Sequence, residues 1–183
     1  MNFTATPLEG CFILEPRIIA DERGYFMESF NEMSFQLGTG QAVHFVQDNQ
    51  SYSARGVLRG LHYQTGPHAQ AKLVRVLQGE VLDVAVDIRP GSATFGKHVA
   101  VVLSGQNQKQ LFIPRGFAHG FLVLSEHATF FYKCDNFYNK ASEGGLAYND
   151  PELGIDWTFS SNELIISDKD AVQPTLQNAR KVW

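Results

Sequence analysis

The chain is broken throughout into short apolar runs rich in Val, Phe, Leu and Tyr, with Gly, Pro, Asn and Ser between them, and it has no stretch suited to a helical crossover. That pattern confines the fold more than any single motif. Strands joined by turns pair antiparallel, because a parallel pair needs a long and usually helical connection. The clearest run is 81–88, where Leu82, Val84, Val86 and Ile88 share one parity and Asp83 and Asp87 the other. Period two of this kind is a strand with one face on a core. Comparable runs predict strands at 11–19, 24–30, 42–49, 57–64, 71–78, 98–104, 110–113, 120–125 and 128–135, with helical turns only at 31–37 and 162–166. Many strands and little helix predict an all-β sandwich, jelly roll or barrel.

A chain of 183 residues suits one domain spanning 1–183. Its 44 % hydrophobic and 19 % charged content is that of a globular protein and excludes a disordered one. No apolar run approaches the ~20 residues that cross a bilayer, so no membrane association is expected. The opening MNFTATPLEGCF lacks the basic start and apolar core of a secretory signal. A formal charge of −4 supplies no field for nucleic acid. An anionic small ligand would need local cations. Cys11 and Cys134 are too few for a disulfide framework or a structural zinc site; they fit a reducing cytoplasm as small core residues.

Two segments place a histidine on a strand between glycines: Gly56-Val57-Leu58-Arg59-Gly60-Leu61-His62-Tyr63-Gln64 and Ile113-Pro114-Arg115-Gly116-Phe117-Ala118-His119-Gly120-Phe121. The second resembles the later half of the cupin signature, Pro-x-Gly-x-x-His. The first resembles the earlier half, except that the usual second histidine is replaced by Gln64. Gln is a poor stand-in for imidazole on a transition metal, which leaves a ligand set one short, and no metal is expected. His62 by itself could be a hydrogen-bonded core histidine. However, Arg59, Lys72 and Arg75 lie on nearby apolar strands, and buried cations are costly unless an anion compensates them. A pocket that receives an anion would do so. Arg59 and His62 differ by three positions, which in a regular strand puts them on opposite faces. Both can line one pocket only if the strand bulges, and Gly60 is the easiest place for that.

These segments, taken together, resemble the dTDP-4-dehydrorhamnose 3,5-epimerase family. Further similar stretches are Asp21-Glu22-Arg23-Gly24-Tyr25-Phe26-Met27-Glu28, Gln47-Asp48-Asn49-Gln50-Ser51-Tyr52-Ser53, Lys72 to Gly79, Pro114 to Glu126, Tyr132-Lys133-Cys134, Glu143-Gly144-Gly145 and Asn149-Asp150-Pro151. The likeness runs from about residue 3 to about residue 175, with mild departures at Asp135, Tyr148 and Thr158. It implies a cupin-type jelly roll with a few short helical turns. It also implies inversion of carbons 3 and 5 of dTDP-4-dehydro-6-deoxy-D-glucose. Both carbons flank a ketone, so the reaction needs a base, a group that stabilises an enolate oxygen, and an acid on the opposite ring face. It demands no cofactor.

The resemblance implies a role for each of these residues. His62 is the base, since an imidazole titrates near working pH. Asp170 orients it, with Asp168 as the alternative carboxylate. Lys72 stabilises the enolate oxygen. Tyr132, which alone would read as a core tyrosine, is the acid. Arg23, Arg59 and Lys169 address the diphosphate, and Phe26 and Tyr138 cover base or sugar faces. Glu28, Gln47, Asn49, His119 and Glu143 contact the substrate. His44, His68, His98 and His127 match no functional position. The family pattern further implies a cytoplasmic homodimer in which residues near Arg23 to Glu28 serve the neighbouring subunit's pocket. Competing expectations are a nucleotide-sugar monoepimerase or ketoisomerase, a metal-dependent cupin oxygenase, and a non-catalytic sugar- or nucleotide-binding barrel.

Overall fold

Turn residues divide the chain much as the sequence pattern expects. In a computed structural model describing residues 1–183, the strands are β1 (Asn2–Ala5), β2 (Phe12–Glu15), β3 (Ile19–Asp21), β4 (Gly24–Phe26), β5 (Gln47–Ala54), β6 (Val57–Gln64), β7 (Lys72–Gln78), β8 (Glu80–Asp87), β9 (His98–Ser104), β10 (Gln110–Ile113), β11 (Phe117–Val123), β12 (His127–Cys134), β13 (Glu143–Gly145) and β14 (Ile165–Ile166). Two short helices complete it, α1 (Glu32–Thr39) and α2 (Asp168–Ala171). One sheet has the order β1-β2-β10-β7-β12-β5 and the other β13-β6-β11-β8-β9, with β14 added to β6. Every pairing is antiparallel except β14 on β6. The two sheets enclose a common core, giving the expected all-β jelly-roll barrel.

The predicted boundaries shift for identifiable reasons. The run 11–19 splits because Pro16 has no N–H for a ladder: β2 stops at Glu15, and Ile19 begins a separate ribbon of β3 and β4. In 42–49 only the last residues are strand. Val43 and Phe45 instead pack against Phe35 of α1 and the outer face of the first sheet, beside Leu14, Leu73 and Phe112. Helix α1 follows the expected 31–37 signal: the Asn31 side chain accepts the Ser34 N–H at one end, and Gly40 closes the other in the left-handed region at φ 72°. At 162–166 the expected helical turn covers only Ser161–Glu163, and Ile165–Ile166 goes to β14.

Strand β8 holds the larger surprise. Its apolar parity was expected to face the core, leaving Asp83 and Asp87 on the other side. Both of its faces are buried. Leu82, Val84, Val86 and Ile88 pack outward against a layer built from the later chain, including Leu146, Trp157, Leu176 and Val182. The opposite parity points between the sheets, where Val81 and Ala85 meet Val74, Leu111, Phe121 and Phe130. Asp83 and Asp87 therefore point into the barrel. At one end Asp87 accepts hydrogen bonds from Arg89, from Ser92 Oγ and from Thr94 Oγ1, the last two at 2.6 Å. Burial opposes its charge, but these donors outweigh it and bring its pKa down to about 2. Cys11 and Cys134 are free and buried, as expected of core thiols. No helix is long and apolar enough to cross a membrane.

Candidate active site

Strand parity decides which side chains reach the barrel interior, and a bulge in β6 reassigns it. Leu58 packs in the outer layer, and so do Leu61 and Tyr63, although their parity is opposite to that of Leu58. The register with β11 slips between His119 and Phe121, and Gly60 sits opposite with φ 134°. A Cβ on Gly60 would lie 2.5 Å from Gly120 Cα, so the two strands can approach only through paired glycines. The slip places Arg59 and His62 in the same cavity, as the sequence required of a shared pocket.

His62 Nε2 lies 2.6 Å from Asp170 Oδ1, and the other Asp170 oxygen accepts the Gly60 N–H at 3.2 Å. Asp170 is buried on the single turn of α2, with Ser167 at its N-cap, whereas Asp168 is exposed on the same turn. The carboxylate placed beside His62 is therefore Asp170 and not Asp168. Burial works against the Asp170 charge, but the bond and charge of His62, then Gly60 and Ser167, hold its pKa below the ordinary carboxylate value. His119, which pairs with His62 across the ladder, directs Nε2 to Asp83 Oδ2 at 2.9 Å. Burial pulls the His119 pKa down.

Lys72 enters from β7 on the inward parity and forms no ion pair; its Nζ stands 5.9 Å from the centre of the Tyr132 ring. Burial lowers the Lys72 pKa and raises that of Tyr132. These four residues, His62, Lys72, Tyr132 and Lys169, border both of two adjoining cavities of about 340 and 310 Å³. In the first cavity they meet Arg59, Ser51, His119 and Asp170. In the second they meet Gln47, Asn49, Tyr138 and Glu143. Lys169 pairs with Glu143 at 2.9 Å, and Gln47 accepts the Tyr138 N–H at 3.0 Å while donating to Asn49 at 3.1 Å. Gln64 spends its amide on the carbonyls of His68 and Phe137 and its oxygen on the Asn139 N–H, so it offers nothing to a metal. No group of three or more His, Cys, Asp or Glu side chains gathers to hold an ion.

Three expected substrate residues stand apart from these cavities. Arg23 pairs with Asp21 on the β3–β4 turn, Phe26 is 69 % exposed, and Glu28 accepts from Asn31. Arg75 also leaves the set, because its parity in β7 is opposite to that of Lys72 and it faces outward with Leu73. One group not singled out for the site is Asp83. The available signal was a carboxylate set between Leu82 and Val84 in the middle of β8.

A family model described as dTDP-4-dehydrorhamnose 3,5-epimerase matches residues 5–178. The chain belongs to the dTDP-4-dehydrorhamnose 3,5-epimerase family. It is 55 % identical over 170 residues to the Escherichia coli (strain K12) protein of that name, covering 93 % of this chain and 91 % of that one. The crystal structure of the Elizabethkingia anophelis epimerase superposes with a TM-score of 0.95 at 55 % identity, covering 100 % of this chain and 99 % of that one. The Legionella pneumophila enzyme in complex with dTDP-4-keto-L-rhamnose superposes at 0.93 with 51 % identity, covering 97 % and 93 %. The epimerase fold of this chain is thus matched along nearly its whole length.

Proposed function

We propose that this chain converts dTDP-4-dehydro-6-deoxy-D-glucose to dTDP-4-dehydro-L-rhamnose, with His62 as base, Lys72 as enolate stabiliser and Tyr132 as acid. The observation that carries the reading is the 2.6 Å His62–Asp170 bond beside a cavity that Lys72 and Tyr132 also border. A carboxylate only accepts, so the His62 Nε2–H donates a hydrogen bond to Asp170 and a lone pair stays on Nδ1 for the substrate. Nδ1 takes the proton from carbon 3 or 5, and the C–H electron pair moves through the enolate to the C4 oxygen. The Lys72 ammonium stabilises the charge there. The Tyr132 hydroxyl then delivers a proton to the opposite face of the same carbon. Inversion needs that opposition, because a single group taking and returning a proton on one face restores the starting configuration. After each round His62 loses its proton and the Tyr132 phenolate regains one through solvent.

Arg59 and Lys169 would hold the diphosphate, since both border the cavity and Arg suits phosphate geometry. Gln47, Asn49, His119, Tyr138 and Glu143 would shape the remaining contacts. We read residues 1–183 as one epimerase domain, placed in the cytoplasm and acting as a homodimer. The β3–β4 ribbon supports the dimer: Ile19, Tyr25 and Phe26 are 56 %, 58 % and 69 % exposed, an arrangement that favours cover by a partner. Arg23, Phe26 and Glu28 would then complete the neighbouring pocket. Turnover in deuterated water tests the activity, with label expected at both C3 and C5 by NMR. Label at one carbon alone would replace this reading with a monoepimerase.

A further inference from the structure

Asp83 has no part in the proton transfers above, yet its side chain is 0 % exposed at the middle of β8. Its Oδ2 faces His119 Nε2 at 2.9 Å, and its Oδ1 is buried without any partner. A buried carboxylate with one oxygen idle costs stability that an apolar residue at the same position would not. Its inward neighbours Val81 and Ala85 show that the parity accepts apolar side chains.

The consequence lies at the far side of the imidazole. A carboxylate cannot donate, so the shared proton sits on His119 Nε2. Burial disfavours a second proton, which keeps the ring neutral and leaves Nδ1 bare. Nδ1 bonds to no protein group and stays open to solvent, and His119 borders the cavity that Phe121 and Lys72 also line. The ring therefore presents a lone pair to the ligand. A lone pair attracts a hydroxyl and repels the oxygens of a phosphate.

We propose that Asp83 is a positioning residue for recognition: it holds His119 in the tautomer whose Nδ1 accepts a hydroxyl of the hexose, so that this side of the pocket reads the sugar and not the diphosphate. The proposal rests on the epimerase reading of the same cavity. It deepens that reading by assigning the sugar end.

The first test uses the unmodified protein with 15N-labelled histidine. The His119 ring should show a protonated Nε2 and a bare Nδ1, and the reverse tautomer would overturn the proposal. The second test is Asp83→Asn, whose amide can donate to Nε2 and so push the proton to Nδ1. Affinity for dTDP-4-dehydro-6-deoxy-D-glucose should fall about tenfold, the range of one lost hydrogen bond, with affinity for dTDP alone unchanged. Unaltered sugar-nucleotide affinity, or an equal loss for dTDP, would sink it. Both readouts are binding or spectroscopic. Normal turnover by His62→Ala would therefore remove the base assignment while leaving the tautomer result to stand or fall separately.

Discussion

At the residue scale the same burial acts in opposite directions on the two groups flanking the proposed reaction. It lowers the pKa of the Lys72 cation and raises that of the Tyr132 phenol, because it disfavours the charged form of each. Lys72 is therefore expected to contribute an alkaline limb to the activity. The limb in the pH dependence of kcat/KM should lie below the ordinary lysine value of ~10.4, and Lys72→Gln should be slow at every pH with that limb gone. A limb that persists in Lys72→Gln would assign it elsewhere. His62→Ala should reduce kcat by roughly 10²–10⁴-fold, the usual worth of a general base, and lower the melting temperature modestly, because buried Asp170 loses its partner. Tyr132→Phe should keep exchanging substrate protons with deuterated water while forming little inverted product. Stereochemical analysis of its products distinguishes a lost acid from a lost base. Asp170 carries a linkage of its own. Its folded pKa lies below the ordinary value, so its contribution to stability is present above ~4 and is lost as pH falls through the folded pKa.

At the scale of elements the site depends on one irregularity. Without the slip opposite Gly60, either Arg59 or His62 would turn into the outer layer with Leu58 or Leu61. Gly60→Ala would meet Gly120 at 2.5 Å and force a side chain at φ 134°. We expect a loss of about 2 kcal/mol or more in urea unfolding, with activity falling further than the unfolded fraction explains. A variant as stable and active as the parent would show that the bulge is dispensable. The bulge was legible in the sequence as a condition, because three-residue spacing and a shared pocket cannot otherwise coexist. The inward turn of β8 was not. Alternation shows that two faces differ, but it does not say which one meets the second sheet when both are covered. The short turn of α2 was likewise hidden, since four residues carry no periodicity, and its acidic cluster reads as a solvated turn until Gly60 and His62 are brought beside Asp170.

For the whole molecule, the exposed β3–β4 ribbon and the cavity between the sheets are separate features of one chain that the proposed dimer would join. Mixing tests this without disturbing either fold. Chains carrying His62→Ala have an intact ribbon, and chains carrying Arg23→Ala with Glu28→Ala have an intact base. If the ribbon serves the neighbouring pocket, re-formed mixtures of the two inactive proteins should recover roughly a quarter of the parent activity, since half the dimers are mixed and each holds one complete pocket. No recovery from confirmed mixed dimers would confine those residues to their own chain. Sedimentation of the parent protein measures the oligomer directly.

Much of this protein is set by local chemistry. The strand runs, the stop at Pro16, the cap at Asn31 and the need for a bulge near Gly60 all follow from dihedral preference, hydrogen-bond supply and side-chain period, which neighbouring residues suffice to determine. The juxtaposition of His62 with Asp170 across 108 positions, the choice of Asp170 over Asp168, the outward turn of Arg75 and the entry of Asp83 beneath His119 follow from none of these. They depend on which face of each strand is enclosed and on where α2 is laid against β6, and only the assembled tertiary structure decides those.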